Sequence, residues 1–381
     1  LLGCAVCADE FETIAVEDIV VDKIDSPADD AGFSVYDLGD NVDMHTSLQK
    51  AVLLDEAEKA VNYALGAEEL SRPQGAVIRW TYDNEVPETF TVSISTNEDM
   101  SDALTYEVLA EADEYGIYSY AAVNLYLMTK YYYTIAAGDA VSDIYSFTTS
   151  ADAPRNMFVD GVTNFRDLGG WPMADGGYTR QGMIYRGAKI SDDYTGDVLI
   201  TEAGIDTMLN TMGIKTEIDF REVENGEDGE NGENGGITAS ALGDTVNYVS
   251  LPIVFADGYP SPDKEVPQTA DAIKETFRLL ADESNYPVYF HCSIGTDRTG
   301  FFAYLMLSLL DVDTDLILHD FMLSNLGFVE KARQIKTLVN RLNKTVEVMD
   351  GGTNYERVVN YLLFVGVPQE DIDSFIASMS K

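Results

Sequence analysis

Pro287-Val288-Tyr289-Phe290-His291-Cys292-Ser293-Ile294-Gly295-Thr296-Asp297-Arg298-Thr299-Gly300 is the stretch that decides how this chain folds. The run Pro287 to Phe290 reads as a buried strand, and a helical pattern follows from Gly300 to Leu310. The tight loop between them holds one cysteine and, six residues on, one arginine. A strand, loop and helix in this order suit a tetrahedral anion. The loop amides, from Ser293, Ile294, Gly295, Thr296, Asp297 and Arg298, converge on it, and the unpaired N–H groups of the helix start add partial positive charge. The same field lowers the pKa of Cys292, so that a thiolate exists near neutral pH and acts as nucleophile. Arg298 reaches back and grips two oxygens through its planar fork. Gly295 allows a conformation or a close approach that a side chain would obstruct. Thr299 offers its hydroxyl to the departing sulfur.

A cysteine and an arginine at this spacing are weak evidence alone, but the full string between strand and helix is specific. The bland alternative is a structural cysteine buried at a strand end. His291-Cys292-x-x-Gly295-x-Asp297-Arg298-Thr299-Gly300 resembles the signature loop of cysteine-based tyrosine phosphatases, in particular the bacterial dual-specificity-like group. Three other segments carry the same likeness in the expected order. They are Asn164-Phe165-Arg166-Asp167-Leu168-Gly169-Gly170 with Tyr185-Arg186-Gly187, the stretch Gly213 to Arg221, and Asp320-Phe321-Met322-Leu323-Ser324-Asn325. The likeness spans residues 158–378, and 158–381 is read as the catalytic domain. It implies an α/β fold, a dual-specificity-phosphatase-like central sheet flanked by helices. Apolar runs at 183–185, 215–220, 246–252 and 288–290 supply strands, and helical patterns lie at 268–282, 299–310, 314–325, 328–343 and 353–365.

The resemblance implies phosphomonoester hydrolysis through a phosphocysteine on Cys292, with Arg298 stabilising charge on the transferred group. Asp297 is the first choice for general acid, because the resembling group often has aspartate before the arginine. Asp257 and Asp263, in the Pro/Gly-rich loop Phe255 to Asp263, are the alternatives. His291 is expected to buttress the loop. Arg166, Asp167, Asp219 and Arg221 are expected to support the pocket, mostly through ion pairs. The chain departs from its relatives at Ile294-Gly295-Thr296, where Ala-Gly-Lys is common, and it has one positive charge fewer there. It also has no Trp-Pro-Asp loop, since Trp171-Pro172 is followed by Met173.

The expected activity is that of a protein tyrosine or dual-specificity phosphatase, acting on a phosphorylated protein or a small phosphomonoester. An inositol-phosphate or phosphoinositide phosphatase is the alternative enzyme, against which the missing lysine weighs. A surface protein that binds phosphate without turnover is the alternative of another class. No metal or cofactor is expected. The three histidines, His45, His291 and His319, lack metal-ligand spacing, and Cys4 and Cys7 have no second pair. The tract Glu224 to Gly235 reads as a solvated insertion, without the ligand order of a calcium loop.

A formal charge of −42, from 66 acidic and 24 basic residues, opposes nucleic-acid binding and anionic membranes. It also opposes long-range attraction of phosphorylated substrates, so the pocket must overcome an unfavourable field. Residues 1–8 read as the remnant of a secretion signal. Leu1-Leu2-Gly3-Cys4 fits a lipoprotein site, and Val6-Cys7-Ala8 before Asp9 fits an ordinary cleavage site. The expectation is a secreted protein or cell-surface lipoprotein of a bacterium. Residues 9–68 have no clear role, with an expected strand at Asp18 to Asp25 and a helix at Ser47 to Leu70. Upstream of the catalytic domain, Ala76 to Tyr82 and Glu88 to Ser95 alternate as strands. With Trp80 as a core residue and Tyr131 at the place of a tyrosine corner, residues 69–150 resemble a fibronectin type III domain, an all-β sandwich. Such a domain offers a surface to a partner.

Overall fold

The computed structural model describes residues 26–63, 68–223, 233–329 and 331–380. The expected signal remnant at 1–8, the strand at Asp18 to Asp25 and residues 224–232 of the acidic tract lie outside these. By its internal contacts the chain divides into two compact units. One takes residues up to 37, 78–120 and 132–145, and the other takes 38–77, 121–131 and 146 onward.

Up to residue 149 the strands are β1 (Phe33–Val35), β2 (Asp40–Val42), β3 (Ala76–Tyr82), β4 (Thr89–Ser95), β5 (Leu104–Leu109), β6 (Tyr118–Ala122), β7 (Lys130–Ala137), β8 (Ala140–Val141) and β9 (Tyr145–Thr149). In the first unit β1 pairs antiparallel with β3, placing Val35 opposite Trp80, and β4 runs antiparallel to both β5 and β7. Burial alternates along β4, as a sheet with one buried face requires. The Trp80 ring is fully buried, edge-on to Phe90 at 5.4 Å. In the second unit β2 runs parallel to β9, and the Tyr131 hydroxyl accepts the backbone N–H of Tyr126 at 2.8 Å.

The second unit is built on a mixed sheet. Its strands are β10 (Arg166–Asp167), β11 (Ile184–Gly187), β12 (Thr216–Asp219), β13 (Asn247–Ser250) and β14 (Val288–His291), in the order β10-β11-β14-β12-β13. β14 lies at the centre, parallel to β11 and β12. Every residue of these three strands is buried, the condition of parallel strands covered on both faces. Side chains alternate along β14. Val288 and Phe290 join a core with Ile218, Phe301 and Phe302, while Tyr289 joins Phe165, Tyr185 and Met208.

The helices are α1 (Ser47–Leu54), α2 (Glu202–Asp206), α3 (Pro267–Leu280), α4 (Asp297–Leu309), α5 (Thr314–Leu323), α6 (Ile335–Leu342), α7 (Asn354–Val365) and α8 (Gln369–Met379). α4 follows β14 directly and is buried along its whole length. Local chemistry sets several ends. Thr353 and Glu356 make a capping box at the start of α7, and Asp313 caps α5.

Two expected helices come out shorter. The run Ser47 to Leu70 gives α1 and then a 3-10 turn at Ala57–Tyr63, because the Asp55 carboxylate takes the Glu56 amide and ends the first helix. The expected helix 328–343 begins only at Ile335. Upstream, the Asn325 side chain accepts the Arg333 amide at 2.7 Å and donates to its carbonyl at 3.0 Å, which pins the backbone at Arg333 ahead of the helix.

Candidate active site

The loop from Cys292 to Thr296 lies at the C-terminal end of β14, where parallel sheets commonly bind ligands. Its carbonyls are tethered one after another. The Ser293 carbonyl accepts the Lys189 amide at 3.1 Å, that of Ile294 accepts Asn164 Nδ2 at 3.0 Å, and that of Gly295 accepts Arg186 Nη2 at 2.7 Å. A trans peptide points its N–H opposite to its C=O. The amides of Ile294, Gly295 and Thr296 are therefore turned away from those tethers, toward the inside of the loop. Gly295 is required on two counts. Its φ is +69°, and a Cβ would lie 2.3 Å from the Gly187 carbonyl oxygen.

Behind the loop a buried network holds it. Arg166 donates from Nε to Asp320 at 2.7 Å, from Nη1 to Asn164 at 2.6 Å and from Nη2 to the Asp320 carbonyl at 2.7 Å. Asp320 also accepts Arg186 Nη1 at 2.5 Å, and Arg186 reaches Gly295. Arg166 thus acts on the loop at second hand, through Asn164 on the Ile294 carbonyl and through Asp320 and Arg186 on that of Gly295. Asp167 points elsewhere, to Arg155 at 2.7 Å and to the amides of Gly169 and Gly182. Asp219 holds Arg221 at 2.8 Å, and Arg221 continues to Ser191 and Asp193. Asp193 in turn accepts the Ser293 hydroxyl, so the Ser293 side chain faces this network.

His291 sits beneath the loop with both ring nitrogens on acceptors: Nε2 on Glu217 at 2.9 Å and Nδ1 on the Cys292 carbonyl at 3.1 Å. Only the imidazolium donates to both. Its pKa is raised accordingly: burial works against the charge, but Asp219 and Glu217 outweigh burial. Cys292 is 2% exposed. Burial by itself would raise its thiol pKa, yet the Arg298 charge and the hydroxyl and amide of Thr299 reverse this, and the net shift is downward.

Arg298 explains itself by counting donors. Nη1 and Nη2 each lie 2.6 Å from an oxygen of Glu233, and Nη1 also approaches the carbonyls of Phe220 and Ile253 at 3.2 and 3.3 Å. Nε is buried and has no partner among the described residues. The remaining donors are the Nε hydrogen and one on Nη2, which share the side-on edge that matches two oxygens of a phosphate. Glu233 holds the guanidinium from its far end and leaves that edge open. Its carboxylate belongs to the tract expected to be solvated; its side chain is only 17% exposed, and the carboxylate also takes the Glu222 amide. That expectation fails at Glu233.

Asp297 opens α4. Arg333 Nε donates to its Oδ2 at 3.0 Å, and its Oδ1 is buried without a partner among the described residues. Asp257 and Asp263 lie on the solvent side of their loop. Both are exposed and line a cavity with Lys264 and Arg341 whose walls, among the described residues, include neither Cys292 nor Arg298. The residue of their loop that turns inward is Tyr259. Its hydroxyl is buried with no partner among the described residues, and its ring lies 3.9 Å from that of Phe301, tilted by 37°. Burial first, then the charges of Cys292 and Asp297, push its pKa up to about 12 against the opposing pull of Arg341 and Arg298. Asn164, Arg186, Asp320 and Tyr259 all lie in stretches that the sequence singles out, without a role there; Glu233 lies in the acidic tract that reads as a solvated insertion.

Among the described residues no cluster of histidine, cysteine, aspartate and glutamate is arranged to hold a metal, and no helix is long and apolar enough to cross a membrane.

A Cupriavidus necator protein assigned by name as a tyrosine-protein phosphatase is 28% identical over 198 residues, which cover 46% of this chain and 65% of that protein. The match thus spans slightly less than two thirds of that relative's length. Among solved structures, TpbA of P. aeruginosa, crystallised with phosphotyrosine, is 20% identical with a TM-score of 0.28, covering 50% of this chain and 89% of that one. The catalytic core of the S. cerevisiae PP-IP phosphatase SIW14, crystallised with citrate, is 14% identical with a TM-score of 0.28, covering 50% of this chain and 96% of that one. Residues 157–381 match the tyrosine phosphatase family, and over that region, more than half its length, the chain belongs to it.

Proposed function

We propose that this chain hydrolyses phosphomonoesters, with protein phosphotyrosine, or phosphotyrosine and phosphoserine/threonine together, as the substrate class. The Cys292 thiolate attacks phosphorus and forms an S–P bond as the P–O bond to the leaving group breaks. Asp297, protonated for this step, gives its proton to the departing oxygen. Water then attacks the phosphocysteine, Asp297 takes a proton from it, and inorganic phosphate leaves as the thiolate is restored. The amides of Ile294, Gly295 and Thr296 and the open edge of Arg298 bear the charge on the transferred phosphoryl oxygens.

One observation carries this reading. Asp297 Oδ1, Arg298 Nε and Tyr259 Oη are buried without partners among the described residues, and all three groups act electrostatically on a cysteine whose pKa is depressed. Each such group left unpaired costs about 1–3 kcal/mol, so their gathering at one sulfur supports a ligand that completes them. Release of phosphate from p-nitrophenyl phosphate tests it. Wild type turns over, and Cys292→Ser loses about 10⁴-fold or more. Tight phosphate binding with no turnover between pH 4 and 8 would mean a binding protein instead.

The finer parts of the proposal rest on the sequence. Residues 69–150 act as a fibronectin type III-like module that meets a surface partner, and the protein is exported from a bacterium. The buried Trp80 and the Tyr131–Tyr126 hydrogen bond support the first of these. The leader-like residues 1–8 support the second.

A further inference from the structure

A cavity of about 620 Å³ opens directly beside the catalytic loop, with Ser293 and Ile294 forming one of its walls. Its charged lining is Lys189, Lys331, Arg333 and Asp193, three cations to one anion, in a chain with 24 basic and 66 acidic residues. The balance of the whole molecule is inverted here. Nothing in the composition makes such a cluster beside the nucleophile expected.

Donors remain available in it. Lys331 is exposed and has no ion-pair partner among the described residues. Arg333 spends Nε on Asp297 and Nη1 on the Lys331 carbonyl, leaving Nη2. Lys189 is paired with Asp193 at 2.7 Å, and Asp193 is shared with Arg221. The lining also has an apolar part: Phe328, 49% exposed, Leu199, 42% exposed, and Ile294 of the loop.

We infer that this cavity is a specificity subsite for an acidic phosphotyrosyl peptide, which seats the aryl ring against Phe328, Leu199 and Ile294 and a neighbouring Asp or Glu on Lys331 and Arg333. The inference rests on the phosphatase reading of the adjoining loop. A polyol carrying two phosphates would satisfy the cations but leave the apolar part without a counterpart, which is why the peptide is favoured. The subsite also answers the charge problem of this chain. A −42 surface repels acidic substrates at long range, and the attraction has to be local.

The test measures Kd on the whole Cys292→Ser chain for two phosphotyrosyl peptides, identical but for Asp/Glu or Asn/Gln on either side of the phosphotyrosine. The acidic peptide should bind about tenfold more tightly at low salt, and the preference should shrink as ionic strength rises. Lys331→Met, at an exposed side chain with no ion-pair partner among the described residues, should bring the ratio of the two Kd values to about twofold or less. A ratio near one in the parent, or one that Lys331→Met does not change, overturns the subsite. So does tighter binding of an inositol bisphosphate than of the acidic peptide. Because binding is read without turnover, a failed subsite is distinguishable from a failed phosphatase reading, which shows as no hydrolysis of p-nitrophenyl phosphate by wild type.

Discussion

Arg166 and Arg298 are both buried arginines of the same unit, yet they are treated in opposite ways. All three nitrogens of Arg166 are bonded, to Asp320, Asn164 and Ser324. Arg298 is held at one end by Glu233 and keeps its Nε unpartnered among the described residues. A satisfied buried network rigidifies what it touches, whereas an unsatisfied group is a standing cost that only a ligand removes. The first arginine fixes the loop from outside, and the second waits inside it. If that contrast is right, damage to the closed cluster should appear as lost stability, and damage to the open one as lost chemistry.

After the nucleophile itself, the largest expected effect is at Asp297. Asp297→Asn removes the proton donor and should slow phosphate release from esters with poor leaving groups by about 10²–10⁴-fold. It should slow p-nitrophenyl phosphate far less, since that leaving group needs little protonation. Equal losses on both would place Asp297 in a structural role with Arg333. Asp257→Asn, at an exposed site, is the control and should leave both rates within about twofold.

Next comes the closed cluster. Asp320 accepts from both Arg166 and Arg186 and is 1% exposed. Its carboxyl pKa, which burial would raise, is instead held down by the two arginines. Removing one partner of a buried ion pair strands the other charge, so Asp320→Asn should cost about 3–5 kcal/mol of unfolding free energy. Denaturant titration measures it. A loss below about 1 kcal/mol, with activity gone, would make Asp320 part of the chemistry and erase the contrast with Arg298.

What the sequence revealed follows the same division. Cys292, Arg298 and the loop amides were legible because they lie within one short string, and the central strand because Val288 to Phe290 is a continuous apolar run. The tethers Asn164, Arg186 and Asp320 were visible only as letters inside motifs, since their function is a contact across 109 to 154 positions of chain. Glu233 was unreadable for a stronger reason. Its neighbours are acidic and glycine-rich, a composition that predicts solvation, and only the fold supplies an arginine to meet it. In the loop Phe255 to Asp263 a search for a carboxylate acid led to Asp257 and Asp263. Desolvation favours the opposite arrangement, carboxylates outside and the phenol of Tyr259 inside.

Glu233 itself gives the smallest and sharpest effect, because its two consequences run in opposite directions. Its carboxylate orients Arg298 and also offsets part of that arginine's positive field at Cys292. In wild type the sulfur already has a pKa below its ordinary value near 9, and thiolate content rises with pH through that lowered midpoint. Alkylation by iodoacetamide should therefore reach its plateau at a lower pH than for a free thiol. Glu233→Gln removes the offsetting charge, so the alkylation midpoint should move further toward acid. The same change loosens the guanidinium, and kcat/KM on p-nitrophenyl phosphate should fall by about tenfold, the loss expected from one weakened charge-assisted contact. A carboxylate that merely blocked the phosphate site would do the reverse to the rate. If Glu233→Gln raises kcat/KM, Glu233 competes with substrate for Arg298, and the open edge assigned to Nε and Nη2 is not where phosphate binds.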